Sequence, residues 1–361
     1  MNKCSKSFLW RGLFSFILVL LIGVGDPPNG QSQQLEKQVL RMGLKYEDIK
    51  TLDPHLAVGS HDRVIVEMIF NGLLRYQPGN MSVDAIEPDL AKDIPIPKVL
   101  PDGRQQWVFN LRQGVMGHPY EDKRGYELTS EDVVYSFQKA SDPKRSAFSG
   151  DYSGMTFEAV DKYTIRITLS KPVSPLLFLP KVSNRAGGLI ICKKPSEEKG
   201  GEWFKTHPVG TGPFKFERYT PREKIVLTRN ENYFRGKPNL SKVEVYYIPD
   251  LSVREMAIQK GELDVIYGEK DQAWVEKMEK IPGCVIEIMP SNSPMVLHFN
   301  MTKPPLNLLK VRQAIAYALG REKFVAYWGK RMCTPVYSAV PVKFCAGGLT
   351  RDEVAQADLL Y

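Results

Sequence analysis

Hydrophobic and polar positions along the chain switch between a period of two and a helical period. Val39–Leu44 reads as a first strand. Trp107, Phe109 and Leu111 alternate with Gln106, Val108 and Asn110, which predicts a half-buried strand. Phe157–Val160 and Tyr163–Leu169 predict a hairpin around Asp161-Lys162. Helical spacing runs over Val64–Phe70 and stops at Asn71-Gly72. A second helix is announced by Thr129-Ser130-Glu131-Asp132, a capping hydroxyl with a carboxylate three residues on. Val133, Val134, Phe137 and Ala140 give it an apolar face, and Asp142-Pro143 ends it. Further along, Val243, Val245 and Tyr247 predict a strand, Ser252–Lys260 a short helix stopped by Gly261, and Leu263–Tyr267 another strand. Strand, helix and strand in so few residues predict a right-handed βαβ unit with parallel pairing. Cys284–Met289 and Val296–Asn300 read as strands interrupted by Pro290-Ser291-Asn292-Ser293-Pro294, a crossover between domains. A helix follows over Val311–Leu319.

Between these elements lies the stretch His207–Pro238. Gly210-Thr211-Gly212-Pro213 predicts a tight, stiff turn, because glycine tolerates positive φ and proline fixes its own. A strand over Lys215–Tyr219, a turn at Thr220-Pro221-Arg222-Glu223 and a strand over Ile225–Thr228 follow. Asn230-Glu231-Asn232-Tyr233-Phe234 and Arg235-Gly236-Lys237-Pro238 close the stretch. The paired glycines do not make a phosphate loop, since no Gly-Lys-Ser/Thr follows and no helix opens after them.

Composition adds bounds. At 361 residues the chain is long enough for two or three domains with real cores. It is 43% apolar and 25% charged, ordinary for a globular protein. The net charge of +8 is scattered rather than clustered in a basic stripe with stacking aromatics, so a nucleic-acid partner is not expected. Lys3, Lys6 and Arg11 precede a short apolar run, Phe14–Val24, broken by Asp26-Pro27-Pro28-Asn29-Gly30. That pattern predicts a secretory signal over residues 1–32, cut after Ser32 or near Gly25, with an uncleaved membrane tether as the alternative. Of the cysteines beyond it, Cys192, Cys284, Cys333 and Cys345, either some pair, Cys333 with Cys345 closing a short loop, or all are free. They lack CxxC spacing and the histidines are dispersed, so neither a metal nor any other cofactor is expected.

The order of these segments resembles the bacterial extracellular solute-binding proteins of family 5, the receptors of peptide-type ABC importers. The Thr51-Leu52-Asp53-Pro54 turn, the Trp107–Val115 strand, the Thr129–Phe137 helix and His207–Pro238 carry the resemblance. Gly261-Glu262-Leu263-Asp264 and the Val311–Leu319 helix extend it, although Gly320 stands before Arg321-Glu322 where the family commonly has Asn. The resemblance implies an α/β fold of the two-lobed periplasmic-binding-protein kind, type II with an extra subdomain. Residues 36–60 and 185–290 would form lobe I, 61–184 an inserted subdomain, and 291–361 the start of a truncated second lobe. It implies a periplasmic, monomeric receptor that captures a solute, in first place a di- or oligopeptide, between its lobes and hands it to the permease subunits of an ABC transporter.

Ligands of open α/β sheets sit beyond the carboxyl ends of the strands. Tyr267-Gly268-Glu269 lies at such an end, Val58-Gly59-Ser60 beyond the first strand's loop, and Asn292-Ser293 in the crossover. The resemblance implies that these three segments line the cleft and pair with a ligand backbone strand-fashion. Read without it, Tyr267 is core packing, Glu269 a solvated charge, and Asn292 and Ser293 turn formers. Catalysis is not expected: Glu87 with Asp89 and Glu131 with Asp132 are carboxylate pairs in ordinary turn and helix contexts, and no nucleophile elbow, HExxH or Walker pattern occurs. The competing functional class is a truncated or repurposed exported scaffold acting by protein contact.

Overall fold

The computed structural model describes residues 38–80, 82–288, 295–339 and 347–357. The described chain divides into two compact units, one ending at Tyr267 and one starting at Gly268. The expected signal segment, the Pro290–Pro294 crossover and Cys345 lie outside the described residues.

The first unit opens with β1 (Val39–Leu44), followed after a loop by α1 (Ser60–Ile69). Short strands β2 (Asn71–Gly72), β3 (Leu74–Tyr76), β4 (Ile86–Pro88) and β5 (Lys98–Val99) lead to β6 (Gln105–Asn110). In β6 the side chains of Gln105, Trp107 and Phe109 are buried and those of Val108 and Asn110 exposed, the alternation the sequence predicts. Next comes α2 (Ser130–Ser141), opened by a capping box between Thr129 and Asp132. The hairpin β7 (Met155–Asp161) and β8 (Thr164–Leu169) joins β5 and β6 in an antiparallel sheet, order β5-β6-β8-β7. This sheet and α2 enclose a core of Trp107, Phe109, Phe137, Ile165 and Ile167. Phe178, from the single turn α3 (Pro175–Phe178), stacks on Trp107 at 4.5 Å.

The chain returns through β9 (Leu189–Ile190), which pairs with β2, and α4 (Lys193–Phe204). The hairpin β10 (Phe214–Thr220) and β11 (Lys224–Arg229) then leads to β12 (Lys242–Tyr247), α5 (Leu251–Gln259) and β13 (Val265–Ile266). These strands and β1 form a sheet in the order β10-β11-β12-β1-β13. The two ends of the β12-α5-β13 unit are both parallel to β1, which lies between them, so the predicted parallel strands are not direct neighbours. The last strand is also shorter than the predicted Leu263–Tyr267. A second core, including Leu44, Ile65, Ile69, Phe204, Leu227 and Val245, packs α1 and α4 on this sheet.

The His207–Pro238 stretch ties the sheet to α1, and its glycines work differently from the expectation. Neither Gly210 nor Gly212 has positive φ. Both are needed for close approach: a Cβ on Gly210 would stand 2.3 Å from the Ile69 carbonyl oxygen, and one on Gly212 2.5 Å from the Ile69 carbonyl carbon. The Gly212 N–H donates to that carbonyl at 2.8 Å, satisfying an acceptor at the end of α1. Between the glycines, buried Thr211 donates to Asn71 Oδ1 at 3.0 Å. Asn71 Nδ2 in turn donates to Asp89 Oδ2 (2.8 Å) and to the Tyr233 hydroxyl (3.0 Å), so the amide's donors and its acceptor are all used. Asn71-Gly72, predicted as a helix stop, is therefore a junction as well.

Two buried histidines hold other joints. His118 Nε2 donates to the Gly212 carbonyl at 2.9 Å. His55 Nε2 donates to the Leu189 carbonyl at 2.9 Å, while its Nδ1 faces Lys139 Nζ at 3.3 Å. Lys139, on α2, also donates to both Asp53 oxygens at 2.6 and 2.7 Å, so its three protons have three acceptors inside the protein. Burial drives His55 down to about 3 and His118 to about 4, and it lowers Lys139 against the pull of Asp53.

In the second unit, α6 (Gln272–Met278) is capped by Asp271, which accepts from the Trp274 N–H at 2.7 Å. It is followed by α7 (Leu309–Ala318), α8 (Arg321–Trp328) and α9 (Arg351–Gln356). The predicted strands at Cys284–Met289 and Val296–Asn300 do not form over their described residues. Their apolar side chains are exposed, Val285 at 59% and Leu297 at 59%, and no described strand lies beside them to complete a ladder. Among the described residues, Cys192, Cys284 and Cys333 are free thiols.

Three outcomes follow from these joints. Gly212→Ala drives a methyl into the backbone at the end of α1 and is expected to cost about 3 kcal/mol, read from urea unfolding. Lys139→Met strands a buried carboxylate and is expected to cost about 3–5 kcal/mol, much of it recovered when Asp53→Asn is added. The histidines set an acid limit. Both are neutral in the fold, whereas the unfolded chain takes up protons as pH falls through the ordinary 6.5. Stability is thus undiminished above that pH and is lost as pH falls from 6.5 towards 4, with a slope approaching about 2.7 kcal/mol per pH unit for the pair. Unfolding midpoints between pH 7 and 5 should show this decline, and His118→Gln should flatten it.

Candidate functional site

Three parallel strands, β12, β1 and β13, point their carboxyl ends the same way. Arg254, fully buried on α5, fixes two of those ends. Its Nη1 donates to the carbonyls of Ile248 (2.6 Å) and Pro249 (2.8 Å) beyond β12, and its Nε to the Tyr267 carbonyl (2.9 Å) beyond β13. Tyr267 N–H donates to the Gly43 carbonyl at 3.0 Å, locking the third end to the other two. Gly43 lies close under Leu263, where a Cβ would come within 2.7 Å of a leucine methyl and displace it.

Several expected residues gather at this rim. Val58 is 57% exposed, Gly59 is the N-cap residue of α1, and Ser60 begins the helix. The Ser60 hydroxyl lies 3.1 Å from that of Tyr46, which follows β1. His61 stacks on the Tyr46 ring at 3.9 Å and pairs with Asp62 at 3.3 Å. Tyr267 is half-buried, and its phenol is pushed up by burial and by the neighbouring Tyr46 and Glu67. Ser60 therefore meets Tyr46, a residue the sequence reading passed over, while Tyr267 follows the neighbouring strand β13. Gly268 and Glu269 belong to the second unit. Gly268 lies against Trp274, where a Cβ would come within 2.1 Å of the ring. Asn292 and Ser293 lie outside the described residues.

Other residues of the rim also went unread. Ser60, Arg63 and Glu67 share one face of α1 by helical spacing. Arg63 keeps a buried Nε that has no hydrogen-bond partner among the described residues. Arg185 lies in the turn before β9, its guanidinium 5.5 Å from the Tyr76 ring centre. Although Glu67 reaches solvent, desolvation raises its carboxyl against the pull of Arg63 and Arg185. Burial lowers Arg185, helped by the like charge of Arg63 and opposed by Glu67. Polar spacing along α1 could have flagged Arg63 and Glu67; Arg185 is more than a hundred residues away and has no local signal.

The carboxylate pairs have structural partners. Glu87 is bridged by Arg75 (2.6 Å) and Arg235 (2.9 Å), and Asp89 is engaged by Asn71 and Arg235. Asp132 caps α2 and accepts from the Lys193 N–H at 2.9 Å, while Glu131 pairs with Lys193 at 3.3 Å. Among the described residues no group of three or more His, Cys, Asp or Glu could hold a metal, and no helix is long and apolar enough to cross a membrane.

Residues 85–357 match the family model of the bacterial extracellular solute-binding proteins, family 5 (middle). Heme-binding protein A of Haemophilus influenzae is 29% identical over 280 residues, 72% of this chain and 49% of that protein. The chain spans about half the length of the curated relatives it matches. Among solved structures, the binding protein MoaA from A. tumefacien R10, in complex with mannopinic acid, superposes with a TM-score of 0.73 at 39% identity, covering 89% of this chain and 65% of that one. The periplasmic binding protein DppA from Helicobacter pylori, in complex with the peptide STSA, superposes with a TM-score of 0.68 at 25% identity, covering 91% and 68%. The fold is thus the mixed α/β, type II fold of periplasmic binding proteins, and the chain belongs to the family 5 bacterial extracellular solute-binding proteins.

Proposed function

We propose that this chain captures a small solute at the rim of its parallel strands, as the receptor of an ABC importer, and presents it to the permease outside the cytoplasmic membrane. The observation that carries the reading is the rim itself within a family 5 fold: the Ser60 hydroxyl reaches Tyr46 just beyond β1, and Tyr267 follows β13, where Arg254 ties β12 to β13 and the Tyr267 N–H ties β13 to β1. Binding energy would bias a lobe closure, and the closed form would be what the permease recognises. A peptide is the first solute class to test, because peptide receptors stand among the relatives; the mannopinic acid bound by MoaA makes an opine the second.

Thermal unfolding of the full chain, scanned against short peptides, haem and mannopinic acid, tests this. A ligand at about a hundredfold its dissociation constant adds about 2.7 kcal/mol to the native state. The expected result is a cooperative transition whose midpoint rises by several degrees with one class only. A cooperative transition indifferent to all of them would overturn the receptor reading and favour an exported scaffold that works by protein contact.

A further inference from the structure

The outer edge of the sheet that contains β1 carries a hollow that the rim does not use. Among the described strands, β10 is the outermost on that side. Against it lies a cavity of about 420 Å³, lined by Thr206 and His207 from the loop after α4 and by Phe216, Glu217, Arg218 and Tyr219 from β10. Its size falls within the range of about 300–1,000 Å³ usual for small-molecule sites. None of Tyr46, Val58, Gly59, Ser60 and Tyr267 borders it.

The strand is shaped to build this hollow. Residues three apart on a regular strand face opposite sides of the sheet. Here the ladder between β10 and β11 slips between Phe216 and Arg218, a bulge that shifts the alternation by one residue. Phe216 and Tyr219 consequently come to the same face, both half-buried against the core of that sheet. The rings around the cavity are also tethered. The Tyr219 hydroxyl reaches both Asp48 oxygens at 2.8 Å. His207 lies flat on Trp203, ring centres 4.7 Å apart and planes 9° apart, and meets Phe216 edge-on at 5.7 Å. Its Nδ1 donates to the Trp203 carbonyl at 3.2 Å and lies 2.9 Å from the Thr206 hydroxyl. Three aromatic rings are thus held around one hollow.

Its polar groups are of both signs. The Glu217 carboxylate lies 3.4 Å from Lys242 of β12. The exposed Arg218 side chain has no hydrogen bond or ion pair among the described residues. A wholly apolar ligand would strip water from both groups and give nothing back. An ion would be attracted by one and repelled by the other. A sugar ring answers both halves of the lining. Its C–H face suits aromatic rings, and each hydroxyl on its edge can donate to a carboxylate or accept from a guanidinium. The geometry points to a saccharide site, in which a pyranose packs on the aromatic rings and neighbouring hydroxyls are shared between Glu217 and Arg218. This site is separate from the solute site proposed at the rim. The sugar is either a free oligosaccharide or a unit of a cell-wall glycan, which share this chemistry.

The test is saturation-transfer NMR of the full chain with chitotriose and cellotriose, beside co-sedimentation with purified peptidoglycan. Saturation should pass to the ring C–H protons of one of the free sugars, or the chain should sediment with the polymer; the arm that responds names the source. Glu217→Gln and Arg218→Ala should each weaken that binding at least about fivefold. Both side chains are exposed, so the unfolding midpoints of these variants should stay near that of the wild type. Phe216→Leu keeps an apolar side chain against the core and should weaken binding as well, because it removes a ring. No transfer and no sedimentation would overturn the saccharide site, as would binding that either charge variant leaves undiminished. Neither result bears on the rim, whose thermal scan uses other ligands.

Discussion

The first unit depends on one close approach of backbone to backbone. Gly210 and Gly212 let the chain lie directly on the last turn of α1, nearer than any Cβ would permit. From that contact Thr211 reaches Asn71, and Asn71 reaches Asp89 and Tyr233. Asn230 Nδ2 and His118 Nε2 both donate to the Gly212 carbonyl, using both of its lone pairs. Residues from four separated segments thus meet at one residue, Gly212. A buried polar junction of this kind tolerates no partial solution, because each member left unpaired bears the full cost of desolvation. It fixes the axis of α1 relative to the sheet, and α1 in turn carries Ser60, Arg63 and Glu67 to the rim.

The Asp53–Lys139–His55 cluster does the corresponding task between the two cores. Asp53 and His55 follow β1, whereas Lys139 belongs to α2, which packs on the antiparallel sheet. An apolar contact in that position would also hold the parts together, but it would allow them to slide. A lysine with three fixed acceptors admits one geometry. Its arrangement requires neutral imidazole, since a protonated His55 would offer Lys139 a proton instead of a lone pair.

Much of this was legible in the sequence because it is local. The Trp107–Phe109 alternation, the Thr129–Asp132 cap, the β10–β11 hairpin and the α5 stop at Gly261 each follow from residues within a few positions of one another. The stretch His207–Pro238 also stood out, but for a reason only half right. Glycine has two uses, and sequence shows that one is invoked without showing which. Positive φ can be inferred from a turn pattern, but close approach depends on Ile69, about 140 residues earlier. The strands expected at Cys284–Met289 and Val296–Asn300 failed for the complementary reason. Alternating apolar residues license a strand only where a partner strand exists to take its hydrogen bonds, and none lies beside them among the described residues.

The candidate site shows the same division. Tyr267 and Ser60 could be read as candidates because strand ends and helix starts leave local marks. Tyr46 was missed because nothing in Lys45-Tyr46-Glu47 distinguishes a rim residue from an exposed loop. Arg185 was missed because its position is set by Gly188 and Asn184, which shape a turn rather than form a binding motif. The consequence is general for this fold. The strands whose ends Arg254 locks are encoded by periodicity, whereas the placement of Tyr46 and Arg185 is set by tertiary contacts. Two chains can therefore share every recognisable segment and still differ in what lines the rim, because the neighbours of its side chains are assembled only by the fold.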